Sequence, residues 1–243
     1  MIIGITGATG QLGRYLVEEL SKEHDVISIG RDGIHWRLGL IPNPIEFSKI
    51  EYLIHLAWST KSRVDDFHLN VGGTQTLLKF AQLASIPSLF ISSVAVKSDS
   101  HYGHSKNMAE HVARKNAASV LRIGLVPSFN KYEKRPHHLL AIIPKTSHKI
   151  NLTFHSDLFM AIQGFLNDPI TSPPVTRQVI SGHISLREYF ASNSRYHISI
   201  PLACVIFLLG IFRWANRRIE NYWDAAVSLQ TTPTLPIGVS VED

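Results

Sequence analysis

Ser93, Tyr102 and Lys106 are the residues of this chain whose types and spacing best suit proton transfer. Tyr102 and Lys106 stand four apart, so a helix would put the phenol and the ammonium on one face. A free phenol titrates near pH 10, too high for a base at neutral pH. A neighbouring ammonium favours the phenolate and brings it into useful range. Ser93 ends the apolar run SLFISS, where its hydroxyl could hold a substrate oxygen by a hydrogen bond. Ser92 is expected on the opposite face, because side chains alternate along a strand. The same tyrosine–lysine spacing also occurs on ordinary helix surfaces, so the assignment depends on the elements that position these groups.

Those elements follow from the apolar pattern. Strands are predicted at 1–6, 25–30, 52–57, 88–93 and 119–124, alternating with helices at 11–23, 74–83 and 102–115. Strands alternating with helices imply crossover units and a parallel sheet. After Gly124 the rhythm breaks at Pro127, Pro136 and Pro144, around the pair His137–His138. Residues 150–167 read as a further strand–turn–helix unit, with Ser156 or Asp157 as its cap. TSPPVT (171–176) reads as a linker, and the remainder is mixed, ending in a tail with Pro233 and Pro236.

Directly after the first strand comes TGATGQLGR, with glycines at 7, 10 and 13. Glycine there permits a tight turn and close approach of the backbone to a ligand. Free amides near Gln11 and Leu12, at the start of the helix, suit a pyrophosphate. Three spaced glycines alone are a weak signal, but this loop opens the first helix inside a strand–helix–strand unit, which predicts dinucleotide binding. At the end of the second strand Arg31 follows Gly30, and no carboxylate appears before Asp32. An arginine there favours a ribose phosphate, hence NADP over NAD. The plainer reading is that Arg31 faces solvent. Arg14 is the weaker candidate of the two.

Composition sets bounds. The chain has 243 residues, 44% of them hydrophobic, which is enough for one large domain with a small annex. A net charge of +5 with scattered basic residues gives no nucleic-acid footprint. One cysteine, Cys204, excludes an intramolecular disulfide, fits a reducing, cytoplasmic compartment, and is expected to be a buried, inert thiol. MIIGITG does not resemble a secretory signal. IPLACVIFLLGIF (200–212) is too short to span a bilayer, which takes about 20 residues. A buried helix is the first expectation for it. A peripheral membrane contact aided by Arg213, Arg217 and Arg218 is the second. His101 and His104 flank Tyr102, but no cysteine or carboxylate set completes a metal site there or at His137–His138, so no metal is expected.

With these pieces in order, the chain resembles an extended short-chain dehydrogenase/reductase of the nucleotide-sugar epimerase/dehydratase type. The stretches that carry the likeness are TGATGQLG (6–13), LIHLAW (53–58), NVGGTQTLL (70–78), FISSVAV (90–96), YGHSK (102–106) and LRIG (121–124). FHSDLFMAI (154–162) and the apolar run from 200 extend it. Its nearest subgroup is that of epimerase-like enzymes of bacterial surface-polysaccharide synthesis. The resemblance implies an α/β fold: a Rossmann-like doubly wound parallel sheet with a small, reduced C-terminal substrate annex. Residues 1–128 would form the NAD(P)-binding domain, with a returning strand–helix unit at about 150–168. Residues 129–243 would form the annex, interleaved with the sheet. The resemblance also implies that Ser93, Tyr102 and Lys106 meet at the nicotinamide. It places the cofactor, NADP or NAD, against Gly7, Thr9, Gly10, Gln11, Leu12, Gly13, Arg31, Leu56, Ala57, Tyr102, Lys106 and Ile123. A nucleotide sugar as substrate is implied in the same way, as is a homodimer through the helices around 62–84 and 102–116.

Five departures bear on the site. Only nine positions separate Ser93 from Tyr102, which leaves little wall for a large ligand. Leu125 stands where the family often has an asparagine, Trp58 where a small residue is common, and Gly39 where an adenine-contacting aspartate is often found. Val94 and Ala95 follow Ser93 in place of the acidic pair of the dehydratases, which disfavours elimination and leaves epimerisation or carbonyl reduction. The competing reading is an NAD(P)-binding scaffold or redox sensor with little turnover. A third is a membrane-associated reductase for a lipidic carbonyl.

Overall fold

In the computed structural model the described residues are 1–59, 64–127, 141–145, 148–168, 174–185, 188, 197–212, 223–224, 226–228 and 231–242. The first half alternates β1 (Ile2–Thr6), α1 (Gln11–Leu20), β2 (Asp25–Gly30), β3 (Ile34–His35), α2 (Pro44–Phe47), β4 (Tyr52–His55), α3 (Val64–Leu83), β5 (Ser88–Ser93), α4 (His101–Lys115) and β6 (Ser119–Ile123). A 3-10 turn over Val94–Lys97 joins β5 to α4. The second half contributes β7 (Ala141–Lys145), β8 (Lys149–Leu152), α5 (His155–Asn167), β9 (Thr176–Ile180), β10 (Gly182–Ser185), β11 (His197–Pro201), α6 (Leu202–Phe212) and β12 (Gly238–Glu242).

Eight strands form one sheet in the order β12-β9-β6-β5-β4-β1-β2-β3. Every pairing is parallel except β12 against β9. Parallel strands covered on both faces must be apolar on both, and β4 and β5 are. Tyr52 and Ile54 of β4 and Leu89 and Ile91 of β5 join a core with Leu16, Leu158 and Phe165 from α1 and α5. Leu53 and Phe90 point the other way, to a core with Phe47, Leu77, Ala109 and Ala113 from α2, α3 and α4. Since β1 pairs with both β2 and β4, the order reverses there, and the crevice beyond the strand ends at such a point is where ligands bind in open α/β sheets. Smaller sheets pair β8 with β10 antiparallel and β7 with β11 parallel.

Some elements depart from the sequence reading, each for a physical reason. Helix α3 begins at Val64, ten residues ahead of Thr74, because Gly72 and Gly73 do not break it. A Cβ on Gly73 would lie 2.8 Å from the Gly39 amide, so the glycine serves a close approach rather than a stop. Helix α5 starts at His155 with Phe154 at its cap position and no side-chain cap, so neither Ser156 nor Asp157 caps it. Strands β9 and β12 lie in the main sheet, although 176–180 and 238–242 carry no strand in the sequence reading.

The largest correction concerns α6. Phe207 is 68% exposed, and Leu208, Ile211, Ala203 and Cys204 are exposed as well. The expected buried helix and buried thiol are therefore both overturned. Helix α6 lies against β7 and β11, outside the two cores of the main sheet. An all-apolar run carries no stripe that could tell which side is covered. Among the described residues no helix is long and apolar enough to cross a membrane. Arg213, Arg217, Arg218, His137 and His138 lie outside the described residues.

Candidate active site

The turn from β1 into α1 is built around missing side chains. Gly7 has φ +71°, and a Cβ on it would meet the Ala57 amide at 2.9 Å. A Cβ on Gly13 would lie 2.2 Å from the Gly7 carbonyl oxygen. The Gly10 amide donates to that same oxygen at 3.0 Å, closing the loop. Gly10 then occupies the N-cap of α1 with no side-chain cap, and the first turn has no acidic residue. The positive end of this ten-residue helix is left for an external anion.

A buried relay fixes the strand ends beside the turn. Thr6 Oγ1 accepts from the amides of Leu56 and Ala57, both at 3.1 Å, and lies 2.7 Å from His55 Nδ1. With both lone pairs taken, the Thr6 hydroxyl must donate, so Nδ1 accepts and the ring proton sits on Nε2. Nε2 then donates to Thr74 Oγ1 at 2.9 Å. Burial holds His55 neutral and lowers its pKa to about 3, with a smaller push from Lys106. Beyond it, the Asn70 carboxamide accepts from the Ser59 amide at 2.7 Å and donates to the Ser59 carbonyl at 2.8 Å.

Tyr102 enters the site on the first turn of α4. A Cβ on Gly103 would lie 2.2 Å from the Ala95 carbonyl oxygen, so only glycine lets the helix approach the 3-10 turn this closely. Ser93 lies close enough to the Tyr102 phenol to influence its titration, and its Oγ accepts from the Ala95 amide at 3.2 Å. Lys106, 5% exposed, donates from Nζ to the Ile91 carbonyl at 3.1 Å. The same nitrogen lies 3.8 Å from the centre of the Trp58 ring and 4.9 Å from that of Phe90. One turn on, Glu110 is wholly buried and takes Arg122 on both oxygens, at 2.9 and 2.7 Å, tying α4 to β6.

The electrostatics differ from the expectation of a phenol activated by its lysine. Burial pushes Tyr102 above the usual tyrosine range, and the nearby Ser93 hydroxyl opposes this only in part. Burial also lowers Lys106 to about 7, against a smaller upward pull from Glu110. Its Nζ lies 6.0 Å from the centre of the Tyr102 ring, and the indole of Trp58 holds it there. The chain itself thus sets up a neutral phenol beside a lysine that titrates near neutrality.

A cavity of about 490 Å³ brings most of the predicted residues together. Gly7, Gly10, Gln11, Leu12, Gly13 and Leu56 line one side, and Ser93, Tyr102, Lys106 and Ile123 line another. Ser92 borders it too, and its buried Oγ has no hydrogen-bond partner. Thr9, Ala57 and Arg31 are not among its lining. Thr9 and Arg31 are exposed, and Ala57 packs against the core beneath. Sequence reasoning missed the opposite wall, where Lys149, Asn151, Ser228 and Thr232 lie. Of these Asn151 falls within the predicted strand–turn–helix unit at 150–167 and Lys149 directly beside it, and no spacing pattern points to Ser228 or Thr232. Among the described residues no group of three or more His, Cys, Asp or Glu is placed to hold a metal ion.

A glycine-built turn, an open helix N-terminus and a serine–tyrosine–lysine group at the crevice of a doubly wound sheet define a dinucleotide-dependent α/β protein. The chain belongs to the NAD dependent epimerase/dehydratase family, whose model matches residues 3–153. A ceramide reductase from Caulobacter vibrioides is 30% identical over 139 residues, covering 49% of this chain and 44% of that protein. The match thus spans less than half the length of that relative. Among solved structures, a dTDP-4-dehydrorhamnose reductase from Yersinia enterocolitica superposes with a TM-score of 0.66 at 18% identity, over 84% of this chain and 85% of that one. A UDP-N-acetylglucosamine 4-epimerase from Bacillus cereus gives 0.63 at 21% identity, over 83% and 89%. At such identities the likeness establishes the fold.

Proposed function

We propose that the chain is an NAD(P)-dependent oxidoreductase or epimerase that exchanges a hydride with a carbinol or carbonyl carbon, using Tyr102 as its proton donor and acceptor. The observation that carries the reading is the Tyr102–Ser93 hydroxyl pair at a cavity walled by the glycine turn. The cradle at Gly7 and Gly13, which a Cβ would fill, and the uncapped start of α1 fit a pyrophosphate. When bound, the nicotinamide supplies the hydride chemistry. The protein's part is to orient and to manage the proton. Ser93 holds the substrate oxygen, Tyr102 returns or removes its proton, and Lys106 binds the cofactor ribose. Arg31 favours NADP over NAD, and a nucleotide sugar is the first substrate class. A cofactor-oxidation screen over nucleotide-sugar ketones and simple ketones tests the reaction. Tyr102→Phe is expected to abolish turnover in the best of them with NADPH affinity nearly unchanged; undiminished turnover would reject the role of the phenol.

The exposed α6 favours a second reading, a reductase for a lipidic carbonyl working at a membrane surface. The match to a ceramide reductase supports the same direction. In this reading α6 lies in the headgroup region, and Arg213, Arg217 and Arg218 supply anionic-lipid attraction. The protein would then sediment with phosphatidylglycerol vesicles at low salt, and Phe207→Asp with Leu208→Asp would abolish it. Failure of the unaltered protein to sediment would remove this reading.

A further inference from the structure

The first turn of α4, which carries Tyr102, is held by a residue from the far end of the chain. A helix begins with amides that have no intrahelical acceptor. In α4 the third, from Gly103, donates to Ser100 Oγ at 2.9 Å. The first two, from His101 and Tyr102, donate to Asp224, at 2.8 Å to Oδ1 and 3.2 Å to Oδ2. The first turn of α4 contains no acidic residue, so Asp224 supplies the negative charge that the helix dipole favours there. Two helix starts thus border one crevice with opposite treatment. That of α1 is left open, and that of α4 is filled by the chain's own carboxylate.

Asp224 belongs to a segment that also walls the cavity. Ser228 and Thr232 line it. Thr231 Oγ1 accepts from the Asp99 amide at 3.0 Å. Asn151 donates to the Pro233 carbonyl at 2.8 Å and accepts from the Leu235 amide at 2.9 Å. His183 Nε2 lies 2.7 Å from the Leu235 carbonyl. The described residues of this stretch, among them Asp224, Pro233 and Leu235, are therefore tied to α4, β8 and β10 together.

We infer that Asp224 is a positioning residue: its carboxylate, gripping the backbone of His101 and Tyr102, sets where the Tyr102 hydroxyl sits against Ser93, and it links the outer wall of the cavity to the phenol. This inference rests on the reading of Tyr102 given above. Without Asp224 two amides at the helix start lose their acceptors, the first turn frays, and the phenol leaves Ser93.

The test needs no substrate. Protein labelled with 13Cζ-tyrosine is compared as wild type, Asp224→Asn, Asp224→Glu and Thr231→Val, with the Tyr102 resonance identified by its loss in Tyr102→Phe. Asp224→Asn should move that resonance toward its position in Ser93→Ala and leave the other tyrosines in place. The Asn carboxamide keeps a single acceptor oxygen, so exchange should rise about tenfold at whichever of the amides at 101 and 102 loses its acceptor. Asp224→Glu, which keeps the carboxylate, should restore both, and it decides the matter should Asp224→Asn not fold. Thr231→Val cuts a neighbouring tether and should leave the Tyr102 resonance in place. A resonance unmoved in Asp224→Asn, or moved equally by Thr231→Val, or not restored by Asp224→Glu, would overturn the inference. Turnover retained in Tyr102→Phe would instead reject the catalytic reading while leaving these amide and resonance results standing.

Discussion

At the scale of single residues, the site turns on how Lys106 is kept. Its Nζ stacks over Trp58 and donates to Ile91, and burial is the main reason its pKa falls to about 7. Trp58→Ala opens that lysine to water. Lys106 should then titrate upward, read as a shift to higher pH of the lysine resonance in NMR; an unchanged midpoint would mean that the indole is not what keeps it dry. The types Ser, Tyr and Lys at their spacing were legible in the sequence, because four residues make one helical turn. The stacking of Trp58 on Lys106 was not, since it depends on a rotamer reaching across from the end of β4. Sequence reading saw only that an unusual bulk stands there. Nor was Asp224, whose bonds to His101 and Tyr102 cross more than a hundred residues.

At the scale of elements, the glycine turn allows a graded prediction. A Cβ at Gly13 would press on backbone at 2.2 and 2.7 Å, whereas one at Gly10 would meet a single carbonyl oxygen at 3.2 Å. Gly13→Ala should therefore weaken NADPH binding by tenfold or more, about 1.4 kcal/mol at least, and Gly10→Ala only by a fraction of that. Fluorescence titration with NADPH checks the order, and equal losses would remove the role given to the turn's packing. Strand–helix alternation through β6 was readable because parallel strands buried on both faces are short apolar runs. The start of α3 was not, because a glycine pair that serves close packing looks the same in sequence as one that ends a helix. Helix α6 marks the limit most sharply: its apolar residues predicted a helix, but burial is decided by what lies against it.

At the scale of the whole molecule, two buried bases tie stability to pH in the same direction. The unfolded chain binds a proton on His55 below about 6.5 that the folded chain refuses until about 3. It likewise holds one on Lys106 below 10.5 that the folded chain releases at about 7. Stability should thus fall as pH drops from 10.5 toward 7, level briefly, and fall again from 6.5 toward 3, by up to about tenfold in the folding constant per pH unit. Lys106→Met should flatten the alkaline limb of a Tm–pH curve and leave the acid limb; a curve unchanged by it would contradict the burial assigned to that lysine. Cofactor choice also belongs to this scale, since Arg31 lies exposed beyond the cavity lining. NADPH should bind more tightly than NADH, and Arg31→Ala should erase the difference. The account as a whole is tested most directly by a crystal structure of the protein with NADPH bound. The expected result is a pyrophosphate on the amides of Gln11 to Gly13 and a nicotinamide ring in contact with the Tyr102 hydroxyl. A nicotinamide bound away from Tyr102, with the pyrophosphate elsewhere than the start of α1, would contradict it.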